Sequence, residues 1–193
     1  MSRVVVTNHV TLDGVMQAPG RPDEDVRGGF DRGGWAIPDN DPVMGRVMGE
    51  GMAQPGALLL GRRTYGDFAS YWPHQKDNPF TEVLDNIQKY VASRTLSEPL
   101  PWKNSTLLEG NAAEAVAGLK QRSGPDLGIL GSGELIQSLR RRNLIDEYVL
   151  LIHPLVLGRG RRLFPEGASP ADLRLVNSVT TTTGVIIATY RPA

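Results

Sequence analysis

The stretch Asp126–Arg142, D-L-G-I-L-G-S-G-E-L-I-Q-S-L-R-R-R, leaves this chain few ways to fold. A short apolar run (Leu127, Ile129, Leu130) reaches Gly131-Ser132-Gly133, and Leu135, Ile136 and Leu139 then recur at helical spacing. The pattern reads as a strand, a glycine turn and an amphipathic helix. Such a turn leaves backbone N–H groups at a helix N-terminus, where the positive end of the dipole favours a phosphate. Glycine lets the ligand's oxygens come close to the backbone, which a side chain would prevent. The segment alone leaves two readings open: an anion cradle, or a strand-to-helix joint that binds nothing.

Other segments repeat the theme. Val4–His9 is a β-branched apolar run with Val4-Val5-Val6 at its heart, read as a buried strand. It runs into Thr11-Leu12-Asp13-Gly14, whose Asp-Gly pair signals a turn. Asp13 therefore stands at the carboxyl end of a strand, where open α/β sheets place their ligands. The competing reading is a turn aspartate bonded to its own backbone. Ala57-Leu58-Leu59-Leu60 is a second buried strand, ending in Gly61-Arg62-Arg63-Thr64-Tyr65. Arginine and a hydroxyl at a helix start form a phosphate grip of fork donors plus helix dipole. Lys89–Ala92 is a third strand and ends in Ser93-Arg94-Thr95, a second grip of the same kind. Two such grips suggest one dianionic group held between neighbouring loops, against the alternative of two solvated arginines.

The remaining segments complete the outline. Asp41–Gln54 carries Val43, Met44, Val47, Met48 and Met52 at helical spacing, capped by Asp41. Ser70–Asn78 reads as loop, and a short helix follows over Phe80–Gln88. Ser105–Leu108 is a strand, and Asn111–Arg122 a helix closed at Ser123-Gly124-Pro125. Glu147–Ile152 is another strand, ending at His153-Pro154, and Leu155–Pro165 is a basic glycine loop. Arg159, Arg161 and Arg162 could hold a substrate phosphate there, against the plainer reading of a solvated loop. Leu173–Thr181 and Val185–Tyr190 flank Thr182-Thr183-Gly184 as a terminal hairpin, with Val185-Ile186-Ile187 buried. Strands alternating with helices, then two antiparallel strands, predict an α/β fold with a mixed, mostly parallel central sheet, helices on both faces and a C-terminal antiparallel hairpin.

Pro19–Asn40, rich in glycine, proline and acids, has no period and reads as a long loop. Phe30 and Trp35 within it favour a lid over a flat ligand; the bland alternative tucks them onto the body.

Composition narrows the chemistry. The 193 residues suit one domain, 1–193. Lys+Arg 21 against Asp+Glu 21 gives no basic excess for nucleic acid or an anionic membrane. The absence of cysteine removes disulfides, thiolate nucleophiles and Cys-ligated zinc or iron–sulfur clusters. The three histidines (His9, His74, His153) are never spaced i, i+4, so no metal site is expected. With no leader-like N-terminus and no long apolar run, a cytoplasmic location is expected.

In their order, the glycine and arginine sites resemble a known family. The chain resembles the dihydrofolate reductase fold. More closely, it resembles the family named after the C-terminal reductase domain of the bacterial bifunctional riboflavin-biosynthesis enzyme. The matching segments are Thr11-Leu12-Asp13-Gly14, Leu60-Gly61-Arg62-Arg63-Thr64-Tyr65, Ser93-Arg94-Thr95, Gly131-Ser132-Gly133-Glu134-Leu135-Ile136, and the run from Leu144 through His153-Pro154 to Leu163-Phe164. The resemblance implies NADPH. Gly61, Arg62 and Thr64 would meet its phosphates, and Ser93, Arg94 and Thr95 would lie beside the adenosine 2′-phosphate. Gly131, Ser132, Gly133, Glu134 and Leu135 would cover the pyrophosphate. A Rossmann fingerprint fits worse, because Ile136 stands where its third glycine belongs.

Departures from the family narrow the reaction. Folate reductases carry a proton-donating carboxylate about four turns before G-R-x-T; here that count lands near Gly45, with Asp41 a turn away. Zinc-dependent deamination needs H-x-E and P-C-x-x-C, which a chain without cysteine lacks. The expectation is an NADPH-dependent reductase of a small heterocyclic or sugar-linked imine or carbonyl, resembling a 5-amino-6-(5-phosphoribosylamino)uracil reductase. Asp13 is expected to orient the substrate or relay a proton, and Trp35 to wall the substrate side. A non-catalytic nucleotide- or ligand-binding module and a flavin-binding oxidoreductase are the rivals. A homodimer is expected from an exposed edge strand and from the resemblance.

Overall fold

The computed structural model describes every residue except Gln54, Pro55 and Ser123, and leaves the side chains at 51–53 undescribed. The expected helix end at Gln54, the Met52 side chain and the closing Ser123 therefore lie outside the described residues. In chain order the elements are β1 (Val4–Thr11), α1 (Pro42–Ala53), β2 (Ala57–Gly61), α2 (Arg62–Tyr71), α3 (Pro79–Asn86), β3 (Gln88–Ala92), β4 (Ser105–Leu108), α4 (Ala112–Gln121), β5 (Leu127–Leu130), α5 (Gly133–Arg140), β6 (Glu147–His153), β7 (Leu173–Thr180) and β8 (Ile186–Pro192). Short 3-10 turns occupy Arg27–Gly29, Ile37–Asp39 and Trp72–His74. The eight strands form one sheet ordered β4-β3-β2-β5-β1-β6-β8-β7. Pairs β2–β3, β2–β5 and β3–β4 are parallel, and β8 runs antiparallel to β6 and β7. This is the mixed, mostly parallel sheet with a terminal hairpin that the sequence pattern predicts.

The chain divides into two compact units, one of residues 1–6 and 49–146 and one of 7–48 and 147–193. In the first, β2 is buried at Ala57, Leu58, Leu59 and Leu60, as expected for a strand covered on both faces. Leu58, Leu60, Tyr65, Leu84, Val91 and Trp102 form its core cluster. Asn111 caps α4 by accepting from Ala113 N and Glu114 N. Helix α2 runs on to Tyr71, so Ser70 and Tyr71 are helical and not loop. Phe68 and Tyr71 each set their rings edge-on to Trp72, and that packing carries the helix as far as the Pro73-containing turn. Gln88 is strand, because α3 ends at Asn86.

Strand β1, whose residues 4–6 belong to the first unit and 7–11 to the second, alternates buried and half-buried positions up to Val10 and Thr11. Asp41 caps α1 through Val43 N at 2.6 Å and also accepts from the N–H and hydroxyl of Thr182. Val185 and Ile187 are buried but Ile186 is 42% exposed, which corrects the expectation of three buried residues in a row. Successive side chains on a strand face opposite sides, so the run of three cannot all point inward.

Candidate functional site

The parallel registers of the first unit explain why its polar segments gather. Gly61 pairs with Ala92, and Ala92 with Leu108, so the three strands end level. The residues that follow, Arg62, Ser93 and Glu109, leave the sheet side by side at its carboxyl edge. Strand β5 lies on the other flank of β2, with Leu59 opposite Ile129, and brings Gly131-Ser132-Gly133 to the same edge. Crevices at the carboxyl ends of parallel strands are where α/β sheets take ligands.

Hydrogen bonds staple the glycine turn to β2. Ser132 Oγ accepts from Gly61 N at 3.0 Å and donates to Leu130 O at 3.0 Å. The Ser132 N–H donates to Thr64 Oγ1 at 3.0 Å, so one of the turn's N–H groups is satisfied within the protein and is not left for a ligand. Ser132 sits in the left-handed region at φ 54° and makes no side-chain bond to the first turn of α5. A Cβ on Gly131, at φ 58°, would stand 3.1 Å from the Thr64 side chain. Thr64 and Ser132 thus shape the cradle, leaving the start of α5 at Gly133, Glu134 and Leu135 to present a dipole end. Glu134 pairs with Arg63 at 2.9 Å on the exposed surface.

Arg62 and Arg94 are exposed, and neither guanidinium has a hydrogen bond or ion pair among the described residues. The Ser93 hydroxyl accepts from Thr95 N and Leu96 N at 3.1 and 3.0 Å, which folds the loop after β3. Beside it lies a cleft of about 570 Å³ lined by Ser93, Arg94, Leu96 and Leu108 among others. Two free guanidiniums, a helix start and an apolar-floored cleft on one sheet edge fit a phosphorylated nucleotide such as NADPH. Among the described residues no three His, Asp or Glu side chains are arranged to hold a metal.

The second unit holds Asp13 and Trp35. Asp13 accepts from Thr11 Oγ1 at 2.6 Å, Gly158 N at 2.9 Å and Leu157 N at 3.2 Å, with Arg162 at 3.6 Å. Burial alone would raise its pKa, but the Thr11 hydroxyl and the two backbone N–H groups together hold the carboxyl at about 2. Asp13 is therefore anionic at neutral pH and anchors the 155–165 loop. Phe30 and Trp35 are 4% and 8% exposed and pack with Val15, Ala18 and Ala36. The Trp35 indole N–H donates to Gln17 O at 2.7 Å. The expectation of a lid presenting these aromatics to a ligand is corrected, because burying two large rings fastens the loop to the body. The basic loop is likewise tied down: Arg159 pairs with Asp31, and Arg162 Nε donates to Asp13 O at 2.8 Å.

Sequence reasoning missed a buried polar chain in this unit. His153 is fully buried, with Nδ1 2.7 Å from Asp39 Oδ2 and Nε2 2.9 Å from His9 Nδ1. Trp35 stands edge-on to the His153 ring. The partners are 114 and 144 residues apart in sequence, so no local motif could reveal them.

A family model described as the RibD C-terminal domain matches residues 2–187. The chain belongs to the RibD C-terminal domain family. Uncharacterized protein YyaP of Bacillus subtilis (strain 168) is 32% identical, over 97% of this chain and 94% of its own length. A putative riboflavin biosynthesis protein from Shewanella sp. PV-4 superposes with a TM-score of 0.74 at 25% identity, covering 100% of this chain and 99% of that one. Dihydrofolate reductase from Enterococcus faecalis, complexed with NADP(H), superposes at 0.63 with 14% identity over 98% of this chain and 96% of that one, a likeness of fold. The RibD C-terminal membership fits the sequence motifs that suggested it, and among the described residues no helix is long and apolar enough to cross a membrane.

Proposed function

We propose that this RibD C-terminal domain is an NADPH-dependent reductase of a small heterocyclic or sugar-linked imine or carbonyl compound of the pteridine or pyrimidine kind. The observation that carries the reading is the parallel register of β2 with β3 and with β5, which brings Arg62, Ser93-Arg94 and the stapled glycine turn to one edge, with an open cleft beside Ser93 and Arg94. Arg62 and the start of α5 would hold the bridging phosphates; Ser93, Arg94 and Thr95 would hold the 2′-phosphate that NADPH has and NADH lacks. When bound, the cofactor supplies hydride, and the protein's part is to position and to exclude water. Asp13, fixed as an anion, orients the substrate-side loop and does not relay the proton. Trp35 supports that side from within the core. Folate reduction is disfavoured because Asp41, the nearest acid, is committed to capping α1 and to Thr182.

Measuring NADPH oxidation against a panel of aminopyrimidine and pteridine acceptors tests the reading: turnover with one of them is the expected result. NADPH that fails to bind at any concentration would end it. A second copy of the chain is proposed to cover β7, the last strand of the sheet, whose Leu175, Val176 and Val179 are 52%, 40% and 36% exposed.

A further inference from the structure

The cleft beside Ser93 is built from both sides of the β3–β4 pair. On one side the Ser93 hydroxyl folds the loop after β3, and the loop returns along β4, where Glu98 accepts from Leu107 N at 2.7 Å. On the other side Gly110, at φ 70°, turns the chain from β4 into α4. Asn111 then caps that helix, its Oδ1 accepting from Ala113 N at 2.9 Å and Glu114 N at 3.3 Å. Two N–H groups at the start of α4 are therefore satisfied before any ligand arrives. Leu96, Leu107 and Leu108 give the cleft apolar surface of the kind that takes the flat face of a base.

Two charges of opposite sign line this cleft, Arg94 and Glu109. Ala92 pairs with Leu108, so Ser93 and Glu109 stand at the same step beyond their strands, with Arg94 one position further along. Both charged residues are exposed, and no ion pair joins them among the described residues. The guanidinium can therefore donate to a ligand and the carboxylate can accept from one. Their preferences at a ribose are opposed. Arg94 favours a 2′-phosphate through a charge-assisted pair. A carboxylate accepts from a bare 2′-hydroxyl, as the acid of dinucleotide-binding sheets does, and repels a phosphate at the same place.

We propose that Glu109 is the specificity-determining counterweight to Arg94: its carboxylate accepts from the ribose 2′-hydroxyl of NADH and opposes the 2′-phosphate of NADPH. The proposal rests on the NADPH reading and names the residue that keeps the preference for NADPH partial. Arg94 outweighs Glu109 where the phosphate is present. The cleft thus takes both nucleotides, NADPH the more tightly.

Calorimetric titration of the full chain with NADPH, NADH, adenosine 2′,5′-bisphosphate and 5′-AMP tests this on the parent, Glu109→Gln and Glu109→Ala. Thermal melts of the exposed-site variants are expected to match the parent. Glu109→Gln removes the charge and should tighten NADPH and the bisphosphate by about 5-fold or more at low salt. That gain should shrink as salt screens the charge. Glu109→Ala removes the acceptor as well and should weaken NADH and 5′-AMP by about 10-fold, while the 2′-phosphorylated ligands still bind more tightly. Variants that bind all four ligands as the parent does overturn the proposal. So do variants in which NADPH and NADH shift together, the mark of a merely structural role. The adenosine fragments separate the proposal from the reductase reading. Opposed shifts of the two fragments, on a chain that neither binds nor oxidises whole NADPH, remove the reductase assignment alone. A parent that binds none of the four removes both.

Discussion

Asp13→Asn separates an organising carboxylate from a proton-carrying one. In the folded protein the carboxyl sits at about 2 against an ordinary value of 3.8. Each unit corresponds to about 1.4 kcal/mol, giving about 2.5 kcal/mol before allowance for solvent. The side chain is 17% exposed, and screening reduces the figure to about 1–2 kcal/mol. A folded-state pKa below the unfolded one contributes stability that is fully present above 3.8 and is lost as pH falls through about 2. At pH 7 the asparagine variant should therefore melt about 2–8 °C below the parent for a chain of this size. Near pH 2 the two melting temperatures should nearly converge, because the parent's carboxyl is then about half protonated and most of the anion's advantage over the unfolded chain is gone. Circular dichroism melts at both pH values provide the assay. Equal melting temperatures at pH 7 would refute the claim that Asp13 anchors Leu157 and Gly158, and would return it to the pool of candidate proton carriers.

Further outcomes follow from the same structure. Ser132→Ala leaves the Gly61 N–H without its acceptor and should cost about 1–3 kcal/mol in urea unfolding. NADPH affinity should fall with it, since the cradle loses its staple to β2. Lys89 is fully buried, with Nζ 2.7 Å from Leu84 O and 2.9 Å from Ile87 O; burial lowers its pKa to about 8, against a smaller opposing pull from Asp85. Its folded form binds fewer protons than the unfolded chain between about 8 and 10.5, so stability should rise with pH across that window, and Lys89→Met should flatten the rise. Leu175→Asp should convert a dimer to monomer in light scattering if a second copy covers β7; a monomeric parent would remove that proposal.

Features set by neighbours in sequence were legible from sequence. Leu127–Leu130, the glycine turn and the amphipathic face of α5 are a local pattern, and the Asn111 and Asp41 caps act within a few residues of themselves. The candidate phosphate grips were legible for the same reason, since Arg62 and Ser93 directly follow buried strands. Their adjacency was not, because it depends on the Gly61–Ala92 register. The aromatics of the 19–40 loop mark it as more than a linker, yet only packing decides whether Trp35 faces a ligand or the core. Lys89 lies in a readable strand, but its burial follows from carbonyls at the end of α3 and from the Trp102 ring 4.2 Å away. The His9–His153–Asp39 chain was the least visible feature. His9 and His153 stand out in sequence only as two of three histidines, with His153 before Pro154 read as structural, and their link to Asp39 arises from contacts with the 3-10 turn at Ile37–Asp39 and between β1 and β6.

The central claim is that the carboxyl edge of β2, β3 and β5 is an NADPH site whose arginines read the phosphates. Calorimetric titration with NADPH and NADH tests it most directly, on the parent and on Arg94→Ala. The account predicts tight NADPH binding, weaker NADH binding, and a loss of about 10- to 150-fold in NADPH affinity for the variant, from one charge-assisted contact of about 1.5–3 kcal/mol. NADH affinity should hardly change. Equal affinities for the two nucleotides, or an Arg94→Ala variant that binds NADPH as the parent does, would contradict it.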